Sequence, residues 1–464
     1  MRVEKDSMGE MQVPDEALWG AQTQRAVGNF PISELRFQRQ FIRSLGMLKM
    51  SAAEVNKDLQ GLDHEIADAI VSAAKEVLEG SLDQHFVVDI FQTGSGTSTN
   101  MNANEVIANR AIQILGGDVG TKNVHPNDHV NRGQSSNDVI PSVMQLAAAE
   151  MISNDLIPAL TRLKESFETK SKEFWSVVKT GRTHLQDATP IRLGQEFLGY
   201  AGQMHRSIER LTGAVNELTE LPLGGTAVGT GIGSEPEFAS KVCDLLSQQT
   251  GLNVRETTNH FQAQNTLNIV VQSSSAVNTL AVSLLKIAND IRWLGSGPRA
   301  GFGELLLPEV QPGSSIMPGK VNPVIAESVC QAAIQVMGNH LTVTLADAQG
   351  SNFELNVMMP VAAYNFIESI SLLVSEADNF RTKCIDGIIA TEKGPASVEA
   401  GLAICTALAP VIGYDNAAAI AKEAAKTGET IREVSRRMTD LSEQELDRIL
   451  DPSTMTETGI TEKS

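Results

Sequence analysis

The chain has 464 residues, of which 42% are apolar and 20% charged, a balance able to bury a large core across about three domains. Aromatics make up only 4%, so Ala, Leu, Val and Ile carry the apolar weight, a palette suited to helix-on-helix packing. The net charge of -19 repels phosphate backbones and anionic membranes, which sets the chain against nucleic acid as a partner. An anionic substrate must then be met by a local cluster of donors.

The opening MRVEKDSMGEMQVP has no apolar core and carries acids, so neither a secretory nor a transit signal is expected. Pro14, Pro31 and several glycines break the first forty residues into loops and short elements. Helical periodicity follows from Phe37 to about Leu59 and from His64 to Leu78. Gln92 to Asn104, QTGSGTSTNMNAN, packs Thr97, Ser98, Thr99 and Asn100 ahead of an apolar helix, more hydroxyls and amides than a linker needs. A second polar knot runs from Lys122 to Asp138. Its His125 and His129 stand four apart, but Pro126 between them argues for a hydrogen-bonding loop over a metal site. Asn137 or Asp138 is expected to cap the long helix that follows to about Phe174, with Pro141 in its first turn and Pro158 as a kink.

GRTHLQD, Gly181 to Asp187, is a polar break holding His184, and a helix from Leu193 to Leu218 succeeds it. Leu221 to Gly233 is glycine-rich but lacks a preceding strand and the GxGxxG order of a dinucleotide site. A shorter helix is expected over Glu237–Gln249. The next, Asn265 to Leu294, is apolar around most of its circumference, as befits the centre of a bundle or of an oligomer. No run of about eighteen apolar residues exists, so no membrane span is expected. Cys243, Cys330, Cys384 and Cys405 lie far apart with no CxxC, which reads as buried thiols in a reducing, cytoplasmic compartment.

Gly313 to Ser328, GSSIMPGKVNPVIAES, joins a hydroxyl-bearing loop to a helix start. Asn322 suits the N-cap and Pro323 the first helical position, which points free N–H groups toward Lys320 and makes the junction a place to hold an anion. Glu327 adds a carboxylate one turn in. The spacing is wrong for a phosphate-cradling loop: Gly313 and Gly319 have five residues between them, and Val321 follows the lysine. A last long helix covers roughly Asn356 to Asp386, and a smaller helical tail follows Gly394-Pro395. The fold expected is mostly α: an elongated central five-helix bundle with smaller mixed N-terminal and helical C-terminal parts, divided at 1–134, 135–390 and 391–464.

GSSIMPGKVNP resembles the signature of the fumarase/aspartase superfamily, and TGSGTSTNMN, HPNDHVNRGQSSND, GRTHLQDATP and FELNV are similar to that family's other blocks, in its order. Likeness runs over nearly the whole chain. Pro318-Gly319-Lys320, Ser135-Ser136-Asn137 and FELNV resemble the class II fumarate hydratase pattern more than that of the aspartate ammonia-lyases, which usually carry PAK and Ser-Thr-Asn. Val324-Ile325-Ala326 departs mildly from the commonest hydratase wording. The resemblance implies a homotetramer whose core gathers about twenty helices, with active sites shared by three chains, a small dicarboxylate substrate, and neither metal nor organic cofactor.

It also implies roles. Ser314 is the base that removes the carbon-bound proton, while Lys320, Asn322 and the helix terminus cradle the resulting dianion. His184, paired with Glu327, works through a water on the hydroxyl. Ser95, Thr97, Ser135, Ser136, Asn137 and Thr183 orient the two carboxylates. His125, Asn127 and Asp128 match an accessory anion site. A member of the superfamily that has become a non-catalytic structural tetramer is the reading of a different class, and the intact Ser314, His184, Lys320 and Glu327 argue against it.

Overall fold

The computed structural model describes residues 1–459. Among them are seventeen α-helices, and 63% of the chain is helical; the strands occur only in two-stranded pairs. The mostly α expectation is met. The backbone contacts of the described residues divide into two compact units, residues 1–158, 207–282 and 332–374 in the first, and 159–206, 283–331 and 375–459 in the second. Leu193–Leu218, Asn268–Leu294, Val324–Gly350 and Met359–Lys383 each contribute residues to both.

In the first unit, an N-terminal hairpin of Arg2–Asp6 and Gly9–Val13 precedes helices Ala21–Asn29, Arg39–Asp58, His64–Glu79 and Thr97–Ile114. Arg39–Asp58 packs against His64–Glu79, Ser136–Met151 and Phe238–Thr250. Leu45, Leu48 and Ala52 on this helix are buried, as are Ile70, Ala73, Val143, Leu146, Phe238 and Val242 on the helices it packs against. The fully buried aliphatic side chains supply roughly 1.5–3 kcal/mol each.

The expected helix over 138–174 is interrupted. Ser136–Met151 passes through a π-helical turn, Ile152–Leu156, into Ile157–Glu173. Pro158 has no N–H to return to residue 154, and the widened turn accommodates that missing bond. Pro141 is the sixth residue of its helix, in the second turn and not the first. The cap also differs from expectation: it is Ser135, whose hydroxyl accepts the Asn137 N–H while the Asp138 carboxylate accepts the Ser135 N–H, a reciprocal capping box.

In the second unit, Phe167, Phe174, Phe197, Tyr200 and Phe380 form an edge-to-face aromatic cluster. The C-terminal segment has its own apolar core of Ile404, Leu408, Ile420, Val434 and Leu446. Asn268–Leu294 is, by length and mean hydropathy alone, sufficient to cross a bilayer, contrary to expectation. It buries Val277, Leu280, Ile287 and Ile291 and leaves Val282 half exposed, so it is not enclosed all round by its own chain.

Candidate active site

The expected site residues fall into two groups, one in each unit. In the first, two helix N-termini meet. Gly96 caps Thr97–Ile114, and Ser135 caps Ser136–Met151. A string of hydroxyls links them: Ser95 Oγ lies 3.0 Å from Thr97 Oγ1, which in turn hydrogen-bonds Ser136 Oγ. Two helices of sixteen or more residues thus turn their positive N-terminal ends toward one polar patch, the electrostatics a carboxylate needs. Asn137 extends from it, its amide donating to the Ala227 carbonyl at 2.8 Å.

Two supports of this patch were not foreseen. Asp138, fully buried, accepts N–H bonds from Gly224 at 3.0 Å and Thr226 at 2.9 Å, which assigns the glycine-rich 221–233 break a structural role. Burial pushes its carboxyl up, but the Ser135, Gly224 and Thr226 N–H donors all favour the ionised form. The FELNV block folds as a tight hairpin, Ser351–Asn352 against Leu355–Asn356, and its Val357 carbonyl presses on Gly94. A Cβ at Gly94 would stand 1.9 Å from that oxygen, so only glycine fits there.

His125, Asn127 and Asp128 lie at a single π-helical turn, Pro126–Val130, where a plain loop was expected. His125 Nδ1 accepts N–H bonds from Asn127 at 3.3 Å and Asp128 at 3.1 Å. The Asp128 carboxylate is 3.2 Å from the same nitrogen. His125 and Asn127 line a polar cavity of about 260 Å³ with Lys122 and Gln22.

In the second unit, GRTHLQDATP is an antiparallel hairpin, Val178–Thr183 with Gln186–Arg192. His184 and Leu185 form its two-residue turn with φ of 55° and 59°. Type I′ geometry asks for positive φ at both positions, which non-glycine residues adopt at a cost of roughly 1 kcal/mol or more each. The strain presents an exposed imidazole at a fixed tip.

A buried charge cluster anchors that hairpin. Lys179, 1% exposed, lies 3.0 Å from both Glu196 and Glu304, and Arg182 pairs with Glu304 at 2.5 Å while stacking on Phe302 at 4.4 Å. Glu304 stands on the segment leading into the Gly313 loop, so one carboxylate ties the strand before Thr183 and His184 to the stem of the Ser314 loop. Sequence reading missed it because the partners are 122 residues apart. Glu304→Gln is expected to leave Lys179 and Arg182 short of a counter-charge. The outcome is destabilisation by about 3 kcal/mol and a fall in kcat of about tenfold, read by thermal melting and steady-state assay.

The Gly313–Asn322 loop closes on itself. The Gly313 N–H donates to the Lys320 carbonyl at 2.9 Å, and the Asn322 amide donates to the Gly313 carbonyl at 2.6 Å. Ser314 Oγ accepts N–H bonds from Ile316 at 3.2 Å and Met317 at 2.9 Å. Lys320 Nζ donates to Asn322 Oδ1. The helix starts at Val324, and the Glu327 N–H donates to the Pro323 carbonyl at 3.0 Å. Pro323 therefore occupies the cap and not the first turn, because the Asn322 side chain is engaged in closing the loop. Glu327 lies in the first turn. No ion pair joins it to His184 within the chain, among the described residues.

The family described as "Lyase" matches residues 9–338, and that described as "Fumarase C C-terminus" matches residues 404–457. The chain is 51% identical to the mitochondrial fumarate hydratase of Saccharomyces cerevisiae over 98% of its own length and 93% of that relative's. It is 52% identical to the class II fumarate hydratase of Halobacterium salinarum, covering 99% of this chain and 98% of the other. The crystal structure of class II fumarase from Schistosoma mansoni matches with a TM-score of 0.96 at 38% identity, over 98% of both chains. With the motif blocks in order and the backbone matched end to end, the chain belongs to the fumarase/aspartase superfamily of lyases, in its class II fumarate hydratase branch.

Proposed function

We propose that this protein is a carbon–oxygen lyase that interconverts fumarate and (S)-malate, the hydration step of the tricarboxylic acid cycle. The observation that carries this reading is the half-identity to fumarate hydratases sustained over the full chain. The cheap test is to mix the purified protein with fumarate and follow the loss of ultraviolet absorbance. Ammonia release from aspartate with no malate formed would hand the case to the ammonia-lyase reading. Turnover of neither substrate would leave a structural tetramer.

In the malate-to-fumarate direction, Ser314 takes the carbon-bound proton. Its Oγ already accepts two N–H bonds, which stabilise negative charge on oxygen as the hydroxyl prepares to act. The carbanion spreads its charge onto the neighbouring carboxylate. Lys320, Asn322 and the N-terminus of Val324–Gly350 meet that charge, donors of this kind being worth roughly 10²–10³ each. His184, with Glu327, then moves a proton to the departing hydroxyl through a water. Ser95, Thr97, Ser135, Ser136 and Asn137, together with Thr183, orient the substrate's carboxylates, and His125, Asn127 and Asp128 form an accessory anion site.

The working particle is a homotetramer in which three chains complete each site. Two observations support it. His184 and Glu327 are not paired within one protomer. Ile334, Leu341 and Leu345, at 60%, 59% and 51% exposure, also leave an apolar stripe along Val324–Gly350 that a second copy can cover. The reaction needs no metal; dialysis against a chelator is expected to leave turnover unchanged, and inactivation would contradict this. Four free thiols, with Cys243 and Cys384 pushed up to about 12 by burial, fit a reducing compartment such as the cytoplasm.

A further inference from the structure

Lys49 is fully buried on the Arg39–Asp58 helix, at 0% exposure, and the chemistry described above does not use it. Its ammonium donates to Asn131 Oδ1 at 3.0 Å and to Gln134 Oε1 at 2.8 Å. Asn131 Oδ1 also accepts from Asn100 Nδ2 at 3.1 Å and Asn104 Nδ2 at 3.2 Å, so three donors converge on one amide oxygen. The Asn131 amide in turn donates to the Gln134 carbonyl at 3.1 Å. Asn100 and Asn104 stand on the helix that begins at Thr97, and Asn131 and Gln134 lead directly into Ser135, Ser136 and Asn137. Lys49 therefore lies beneath the junction of the two helix N-termini.

We propose that Lys49 is a positioning residue for substrate binding, its buried ammonium holding Asn131 and Gln134 and so setting Thr97 against Ser136. A buried cation is costly, and its helix neighbours Leu45, Leu48 and Ala52 are buried apolar residues that demand none. What it supplies in its protonated form is a positive charge and two charge-assisted hydrogen bonds under a patch built to receive a carboxylate. Asp138, on the helix packed against Arg39–Asp58, is the charged group whose field reaches it. Asp138 lies beyond ion-pair distance, and its oxygens are occupied by N–H donors.

Burial lowers Lys49 from 10.5 to about 7, against a smaller opposing pull from Asp138. Its charge is thus present below about pH 7 and lost above it. Because the folded value lies below the free one, the charged lysine costs the fold stability at low pH, and that cost fades as pH rises from about 7 toward 10.5.

Lys49→Met separates positioning from plain structure. KM for fumarate is expected to rise about tenfold, as for loss of a charge-assisted contact, with the loss falling on KM more than on kcat. Wild-type KM is expected to rise above about pH 7 as the lysine loses its charge, and the variant is expected to lack that rise. The variant is expected to melt no lower than wild type at acid pH. A lysine with only a structural role gives the reverse pattern: a lower melting temperature with KM and its pH profile intact. That result overturns the proposal. Lys49→Gln, which keeps amide donors without charge, serves if the methionine variant does not assemble, and a retained pH limb in it overturns the proposal equally. Should neither variant assemble, a flat wild-type KM from pH 6 to 8 does so.

Lys49's role depends on the assignment of Thr97, Ser136 and Asn137 to carboxylate binding, so Ser136→Ala is measured alongside. An unchanged KM in Ser136→Ala sinks that assignment. A raised KM there with an unmoved Lys49→Met sinks only the lysine.

Discussion

Replacing Ser314 by alanine is expected to lower kcat by at least about 10²-fold, the typical worth of a proton-transfer group, with the oligomer still assembled. The hydroxyl is held by the N–H groups of Ile316 and Met317, both on exposed positions. Water can satisfy those donors once the oxygen is gone, so little stability rests on it. What disappears is the hydroxyl that the proposed mechanism uses to accept a proton from carbon. Steady-state kinetics in the malate direction, with sedimentation as the control for assembly, measures both halves. Near-normal turnover from an intact particle would remove Ser314 from the mechanism. A loss confined to KM would make it a binding group and not the base.

Gly313→Ala is expected to be as damaging, although it deletes no functional group. A Cβ there would stand 2.3 Å from the Lys320 carbonyl oxygen and 2.8 Å from the Asn322 N–H nitrogen. Both are backbone atoms of a closed loop, so neither yields as the end of a flexible side chain would. Relief requires opening the Gly313–Lys320 hydrogen bond and the Asn322 contact to the Gly313 carbonyl. Lys320 and Asn322 then lose their placement together. Each such donor is worth roughly 10²–10³ in rate, so a fall in kcat/KM of at least about 10²-fold is expected. The loop is largely exposed, so the melting temperature should move by only a few degrees. Wild-type kinetics from the alanine variant would mean that loop closure does not place the cradle.

Most of the element plan was legible in the chain. Leu193–Leu218 begins and ends where its apolar spacing does, and His64–Glu79 differs by one residue. Helical periodicity is local, a matter of residues three and four apart, and so it survives without tertiary context. The polar interruptions were legible too, because hydroxyls, amides and one histidine crowded between apolar helices have no packing reason to be there. Fine capping was less so. Ser135, Asn137 and Asp138 are all competent caps, and the choice fell to Ser135 because Asp138 is drawn inward to Gly224 and Thr226. Asn322 lost the cap position for the same kind of reason, being used to close the loop on Gly313.

Lys49 left a trace that periodicity exposes: with Leu45, Leu48, Ala52 and Ala53 buried, the three- and four-residue spacing places a lysine in an apolar stripe. Glu304 left none. Its ties to Lys179 and Arg182 span 122 residues or more, and an ion pair across such a distance is decided only when the chain has folded. Composition, periodicity and the ordered polar blocks thus settled the helical class and the family and named the candidate reacting groups, since each is carried by neighbours along the chain. Which charges are buried beneath those groups, and which oxygens hold them in register, was left to packing. Burial and hydrogen-bond partnership are properties of surfaces that meet, and those surfaces are separated in the chain until the fold brings them together.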